Sequence, residues 1–240
     1  MKSINRFFKD IISFIYPNTC VGCGEIINEG EFFCDYCYEM LDNISTDKQC
    51  FKCGRLKKEC ECKRRVFSFD GAVAPYHNDG VARTAMYTFK LNRRPYLADF
   101  FAHKMALSVK YAFYDVEFHG ICYVPVSKRS YMKRGFDQSR MLAEKLSEIL
   151  GIPLIVGQLE CHNKRKGQHS ALGKERYENV KGAFRSRKKC IGNILLVDDI
   201  KTTGATLDEC AKQLINSGAD SVYCVTGLIS KGKKNKTKRS

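Results

Sequence analysis

The chain has 240 residues, 44% of them apolar, and 41 Lys and Arg against 26 Asp and Glu give a formal charge of +15. That length holds one ordinary domain with a small one beside it. No apolar stretch approaches the ~20 residues of a membrane-spanning helix, which excludes an integral α-helical protein.

Residues 1–17 carry Ile4, Phe7, Phe8, Ile11, Ile12 and Ile15, the stripe of an amphipathic helix that Pro17 stops. Its polar face is only weakly basic, so packing on its own protein is favoured over docking to a membrane surface or a partner. Lys9 and Asp10 interrupt the run, which lacks the apolar core of a signal peptide. The expected location is cytoplasmic, with the inner face of the membrane as the alternative. Among the 13 cysteines, those that come in close pairs then read as metal ligands and not as disulfides.

Residues 18–66 contain Cys20-x-x-Cys23-Gly24, Cys34-x-x-Cys37, Cys50-x-x-Cys53-Gly54 and Cys60-x-Cys62. Two cysteines on one turn present two sulfurs to one ion, and a second turn completes a tetrahedron. The reading is a tandem zinc ribbon holding two structural Zn2+. Cys20, Cys23, Cys34 and Cys37 take one ion and Cys50, Cys53, Cys60 and Cys62 the other, with cross-braced pairing left open by spacing alone. Eight thiolates and two dications bring the net charge to +11. The cations from Lys52 to Arg65 either meet nucleic acid or offset the negative tetrathiolate.

From Phe69 the period changes. Phe69 to Tyr76 alternates like a strand, Ala82 to Lys90 and Ala98 to Tyr114 have helical spacing, and Ile121 to Val126 is a short apolar strand. The next stretch, Ser127 to Gln138, reads as a loop carrying Lys128, Arg129, Lys133 and Arg134 with Tyr131 and Phe136. Such a loop can grip pyrophosphate, or stack bases while pairing their phosphates. Asp137 caps a helix from Gln138 to Leu150. A strand over Pro153 to Val156 precedes a long polar loop with Arg165, Lys166 and His169, of the kind that serves as a lid. The isolated Cys122, Cys161, Cys190, Cys210 and Cys224 read as small core residues.

Ile194 to Val197 is a buried parallel strand that ends in Asp198 and Asp199, followed by Lys201-Thr202-Thr203-Gly204-Ala205-Thr206 and a helix from Leu207 to Ser217. Ligands of α/β sheets sit past the carboxyl ends of strands. A Thr/Gly turn opening a helix suits a phosphate, and paired carboxylates suit vicinal hydroxyls or Mg2+. Together these describe a ribose 5-phosphate site. No Gly-Lys-Ser/Thr follows, as a Walker loop requires, and there is no Gly-x-Gly-x-x-Gly dinucleotide fingerprint. Ser221 to Ile229 is a last strand before a basic tail, residues 231–240.

The Asp198–Thr206 segment resembles the phosphoribosyl-pyrophosphate (PRPP) motif of type I phosphoribosyltransferases. The resemblance implies that Asp198 and Asp199 hold the ribose hydroxyls and Mg2+, and that residues 202–206 hold the 5-phosphate. Lys201 stands where an apolar residue is common, and its amide can still serve the turn. Lys128 and Arg129 fall where that family keeps its pyrophosphate loop. Add the cysteine ribbons, Arg134-Gly135-Phe136-Asp137-Gln138, Gln168, Leu172, Arg176, Asn179 and Gly182-Ala183-Phe184, and residues 14–229 resemble the ComF family. Asp137 stands where that family often has Asn.

The resemblance implies an α/β type I phosphoribosyltransferase fold over residues 67–230 behind the ribbon module. It also implies a cytoplasmic competence factor that handles incoming single-stranded DNA, with competence-machinery proteins as partners and PRPP or a related ribose phosphate as ligand. The alternative is an active PRPP-dependent transferase of nucleotide salvage or biosynthesis. There Asp198 and Asp199 would be catalytic, Lys128 and Arg129 would stabilise departing pyrophosphate, and Arg165 and Lys166 would close over the site.

Overall fold

The computed structural model describes residues 17–91, 94–162 and 180–232. The helix expected before Pro17 (residues 1–16), the lid residues Arg165 and Lys166, and the tail beyond Gly232 lie outside them, as do His169, Gln168, Leu172, Arg176 and Asn179.

The centre of the molecule is a parallel sheet. Strand β6 (Asn193–Lys201) pairs with β3 (Gly120–Tyr123) on one side and with β7 (Ser221–Ile229) on the other. On its far side β7 pairs with β1 (Gly71–Val73) and, further along, with β2 (Tyr76–His77). Pro75 lies in the gap between them, where its missing N–H and fixed φ interrupt the ladder. The expected single alternating strand over Phe69 to Tyr76 is therefore two short pieces. Its residues from Gly71 to His77 are all buried, as in a strand covered on both faces.

Alternation along β6 sends Leu195 and Val197 into one core and Ile194 and Leu196 into another. The first core is built with α2 (Gly80–Leu91), α3 (Leu97–Ala112) and α5 (Gln138–Leu150), whose Met86, Phe89, Phe101, Met105 and Leu142 are fully buried. The second is built with α6 (Ala205–Asn216) through Leu207, Cys210 and Leu214, and with Phe184 of an antiparallel ribbon, β4 (Leu159–Cys161) and β5 (Phe184–Ser186). Of the isolated cysteines, Cys122, Cys190, Cys210 and Cys224 are buried, as core residues should be. The strand expected at Pro153 to Val156 reduces to one bridge between Leu154 and Ile121.

The cysteine-rich region sits against the β1/β2 edge. Ala72 N–H donates to Phe51 O (2.7 Å), Ile44 N–H to Pro75 O (2.8 Å) and His77 N–H to Asp42 O (3.1 Å). A sheet edge left bare invites pairing with another chain, and here the ribbon region occupies it. Phe33, Cys37 and the helix α1 (Asp35–Glu39) belong to the first core's side, while Cys53, Phe67 and Phe69 belong to the second. The two ribbons thus lie on opposite faces of one edge.

Candidate functional site

Two sulfur clusters come first in the chain. Cys20, Cys23, Cys34 and Cys37 gather their sulfurs within 4.8 Å of one another, and so do Cys50, Cys53, Cys60 and Cys62. The pairing is sequential and not cross-braced. Zn–S bonds of ~2.3 Å set the corners of a tetrahedron about 3.8 Å apart. Cys23 and Cys34 stand 3.7 Å apart, Cys50 and Cys62 3.9 Å, and Cys53 and Cys60 3.8 Å. Both donor sets fit Zn2+. Gly24 and Gly54 hold φ of 83° and 77°, the left-handed turn that curls each knuckle. Burial raises the Cys20 thiol, yet N–H donors from Cys34, Cys23 and Gly22 outweigh it and bring it down to about 6, towards the thiolate that a metal needs.

The second site is the carboxyl end of β6. The strand does not stop at Val197 but runs through both acids to Lys201, with Asp198, Ile200 and Lys201 registered against Thr226, Leu228 and Ile229 of β7. Asp198 Oδ1 accepts from Ser139 Oγ of α5 (2.9 Å) and from Asp199 N–H (2.9 Å). Burial, and then the charge of Asp199, push the Asp198 carboxyl up to about 7. Asp199 is ion-paired with Lys90 of α2 at 2.5 Å. Close by, Asp137 caps α5 as expected, accepting from Arg140 N–H (3.1 Å), and also takes Val126 N–H (3.2 Å). Burial raises the Asp137 carboxyl, and the charge of Asp199 adds to the effect.

Beyond Lys201 the chain turns at Thr202-Thr203-Gly204 and enters α6 at Ala205. Gly204 takes φ 81° at the helix cap, and Thr203 Oγ1 accepts from Ala205 N–H (3.3 Å). Thr202, Thr203 and Thr206 are partly exposed. Lys201 itself belongs to the strand, not to the turn. Its side chain is buried on the ribbon side, 3.8 Å from Glu61 and 5.3 Å from the centre of the Phe67 ring. Burial, and next the neighbouring Arg55, lower its pKa.

The stretch from Ser127 to Gln138 differs from the expected loop. Residues Lys128–Arg134 form α4, with Ser127 Oγ accepting from Ser130 N–H and Gly135 closing it at φ 83°. Lys128, Arg129 and Lys133 are exposed, whereas Arg134 donates to Gln138 Oε1 at 2.9 Å. Phe136 packs on Phe89, ring centres 5.9 Å apart, and leaves Tyr131 as the exposed ring. The structure brings Asp198, Asp199 and the turn together. Lys90 and Ser139 join them unannounced by any motif, since each is an ordinary helix residue until the fold aims it at β6.

Residues 11–66 match the double zinc ribbon domain family. The DNA utilization protein YhgH of Salmonella typhi is 34% identical over 100 residues, 41% of this chain, so the match spans less than half (44%) of that relative. Competence protein F of Haemophilus influenzae is 26% identical over 216 residues, 87% of this chain and 89% of the relative. A purine phosphoribosyltransferase of Pyrococcus horikoshii, 15% identical, overlays with a TM-score of 0.31 across 59% of this chain and 74% of its own. A parallel α/β sheet and two zinc-fitting cysteine clusters thus accompany a double zinc ribbon match over residues 11–66, and the chain is similar to competence protein F along most of both sequences.

Proposed function

We infer that this chain serves DNA uptake in competence, binding single-stranded DNA through its cationic surface and a ribose phosphate at the turn after β6. The observation that carries the reading is the meeting of two carboxylates with a glycine-capped turn at the head of α6. A phosphate there takes backbone N–H groups and the helix dipole, and vicinal hydroxyls take carboxylate oxygens. Mg2+ or the ribose would take the place of Lys90 on Asp199. Lys128 and Arg129 stand in the first turn of α4, where the helix dipole disfavours cations. They do not stabilise that helix, which fits a role towards an anion.

The test is a thermal shift with PRPP, with and without Mg2+. A ligand at a hundred times its Kd adds ~2.7 kcal/mol, about 5–10 °C for a chain of this size. Asp198→Asn with Asp199→Asn should abolish the shift, and no shift in the parent chain refutes the pocket. For DNA, the expected log–log salt slope is about −0.7 per phosphate contacted. A salt-insensitive affinity refutes the backbone-binding surface. Transfer chemistry, the alternative reading, requires pyrophosphate release from PRPP across a panel of acceptors.

A further inference from the structure

The second ribbon does more than sit beside the sheet: it holds the turn after β6 by its backbone. Arg55 donates from Nη2 to Thr202 O (3.1 Å) and from Nη1 to Ser230 O (3.0 Å). Arg65 donates from Nη1 to Thr203 O (3.0 Å). The carboxylate that aligns these cations is Glu61. It accepts from Arg55 Nε at 3.0 Å and stands 4.0 Å from Arg65 and 3.8 Å from Lys201. Glu61 lies between Cys60 and Cys62, two of the four sulfurs of the second cluster. A metal that fixes those sulfurs therefore fixes Glu61.

The consequence follows from peptide geometry. The described residues contain no cis peptide bonds, and in a trans peptide the C=O and the next N–H point in opposite directions. Drawing Thr202 O and Thr203 O towards the ribbon turns the N–H groups of Thr203 and Gly204 away from it. Beneath the turn, a Cβ on Gly204 would come within 3.1 Å of Lys201 Cε and 3.3 Å of Phe67. The turn is thus seated on the ribbon side, with no spare room.

We propose that the second ribbon is the positioning element of the turn: Arg55 and Arg65, aligned by Glu61, hold the Thr203 and Gly204 amides in place, so that a ribose phosphate binds tightly only while the second cluster holds its zinc. This rests on the pocket reading above. The first cluster, on the other face of the sheet, has no such part. Arg55, Arg65 and Glu61 are positioning residues and touch no ligand.

The experiment uses the zinc-loaded full chain and four variants: Arg65→Met, Glu61→Gln, Cys60→Ser and Cys23→Ser. Zinc content, hydrogen exchange over residues 200–208 and binding of ribose 5-phosphate are measured on each. Exchange there reports Ala205 and Asp208 N–H, bonded to Thr203 Oγ1 and Gly204 O. Arg65→Met and Glu61→Gln should keep both zinc ions, exchange faster over 200–208 and bind ribose 5-phosphate at least fivefold more weakly. Cys60→Ser should lose one zinc and do the same, while Cys23→Ser loses one zinc and keeps both properties. Unchanged exchange and affinity in Arg65→Met, or equal losses in the two cysteine variants, overturn the proposal. Failure of the parent chain to bind ribose 5-phosphate overturns the pocket reading, and the exchange data then decide the clasp by themselves.

Discussion

At the scale of single residues, the acid group at the end of β6 is organised around one cation. Lys90 and Asp199 have side chains only 15% and 13% exposed, and Asp198 and Asp137 lie close enough to feel the charge of Asp199. Lys90→Met leaves that charge without its partner and should cost about 1–3 kcal/mol in urea unfolding. If the acid pair accepts a divalent ion, millimolar Mg2+ should return much of the loss to the variant and little to the parent. No Mg2+ response in the variant would show that the acids do not take a metal. Asp198 gives the pH dependence. Its folded-state pKa, about 7, lies above its ordinary value of 3.8, so the native chain binds the proton more tightly than the unfolded one. The stability from this site is full in acid and is lost as pH rises from about 4 through about 7. Asp198→Asn keeps a hydrogen-bonding oxygen and cannot ionise. It should gain on the parent between pH 5 and pH 8, and a constant difference across that range would sink the assignment.

At the scale of elements, the cap of α5 does two tasks, holding Arg140 N–H and Val126 N–H on one carboxylate. Asp137→Ala should cost about 1–2 kcal/mol, the usual loss of a cap. Asp137→Asn keeps the cap oxygen and removes a charge that burial and Asp199 both oppose, so its melting temperature should match or exceed the parent's. A fall equal to that of the alanine variant would mean that the charge, not the oxygen, matters. These helices were legible in the sequence because apolar spacing, a capping Asp and a closing Gly agree locally. The strand and turn at residues 194–206 were legible for the same reason. The α4 helix was not: its cations and short span read as loop, although Ser127 and Gly135 are its start and stop signals. Lys201 misled in another way, because the strand runs on past the acids and its alternation sends that side chain to the ribbon side. The clasp of Arg55 and Arg65 had no local signal at all, being made across 147 and 138 residues of chain.

At the scale of the whole molecule, the ribbons cover a sheet edge and owe their own order to metal, which contributes about 10 kcal/mol or more per structural zinc. Stripping both ions with a strong chelator should uncover β1 and β2, and the protein should associate, read as a rise in light scattering that fresh Zn2+ prevents. A chelated chain that stays monomeric would show that the edge is protected without the ribbons. The place of β7 has a consequence for synthesis. Residues 221–229 form the strand that joins β1 and β2 to β6, so the first strands made, backed on one side by the ribbon region, have no neighbour on the other until that segment leaves the ribosome. At 5–20 residues per second the wait from His77 to Ile229 is roughly 8–30 s. The cysteine turns, which need only each other and an ion, can close during that interval. A nascent chain can therefore bind its metal before its sheet is complete, with β7 the strand that closes it.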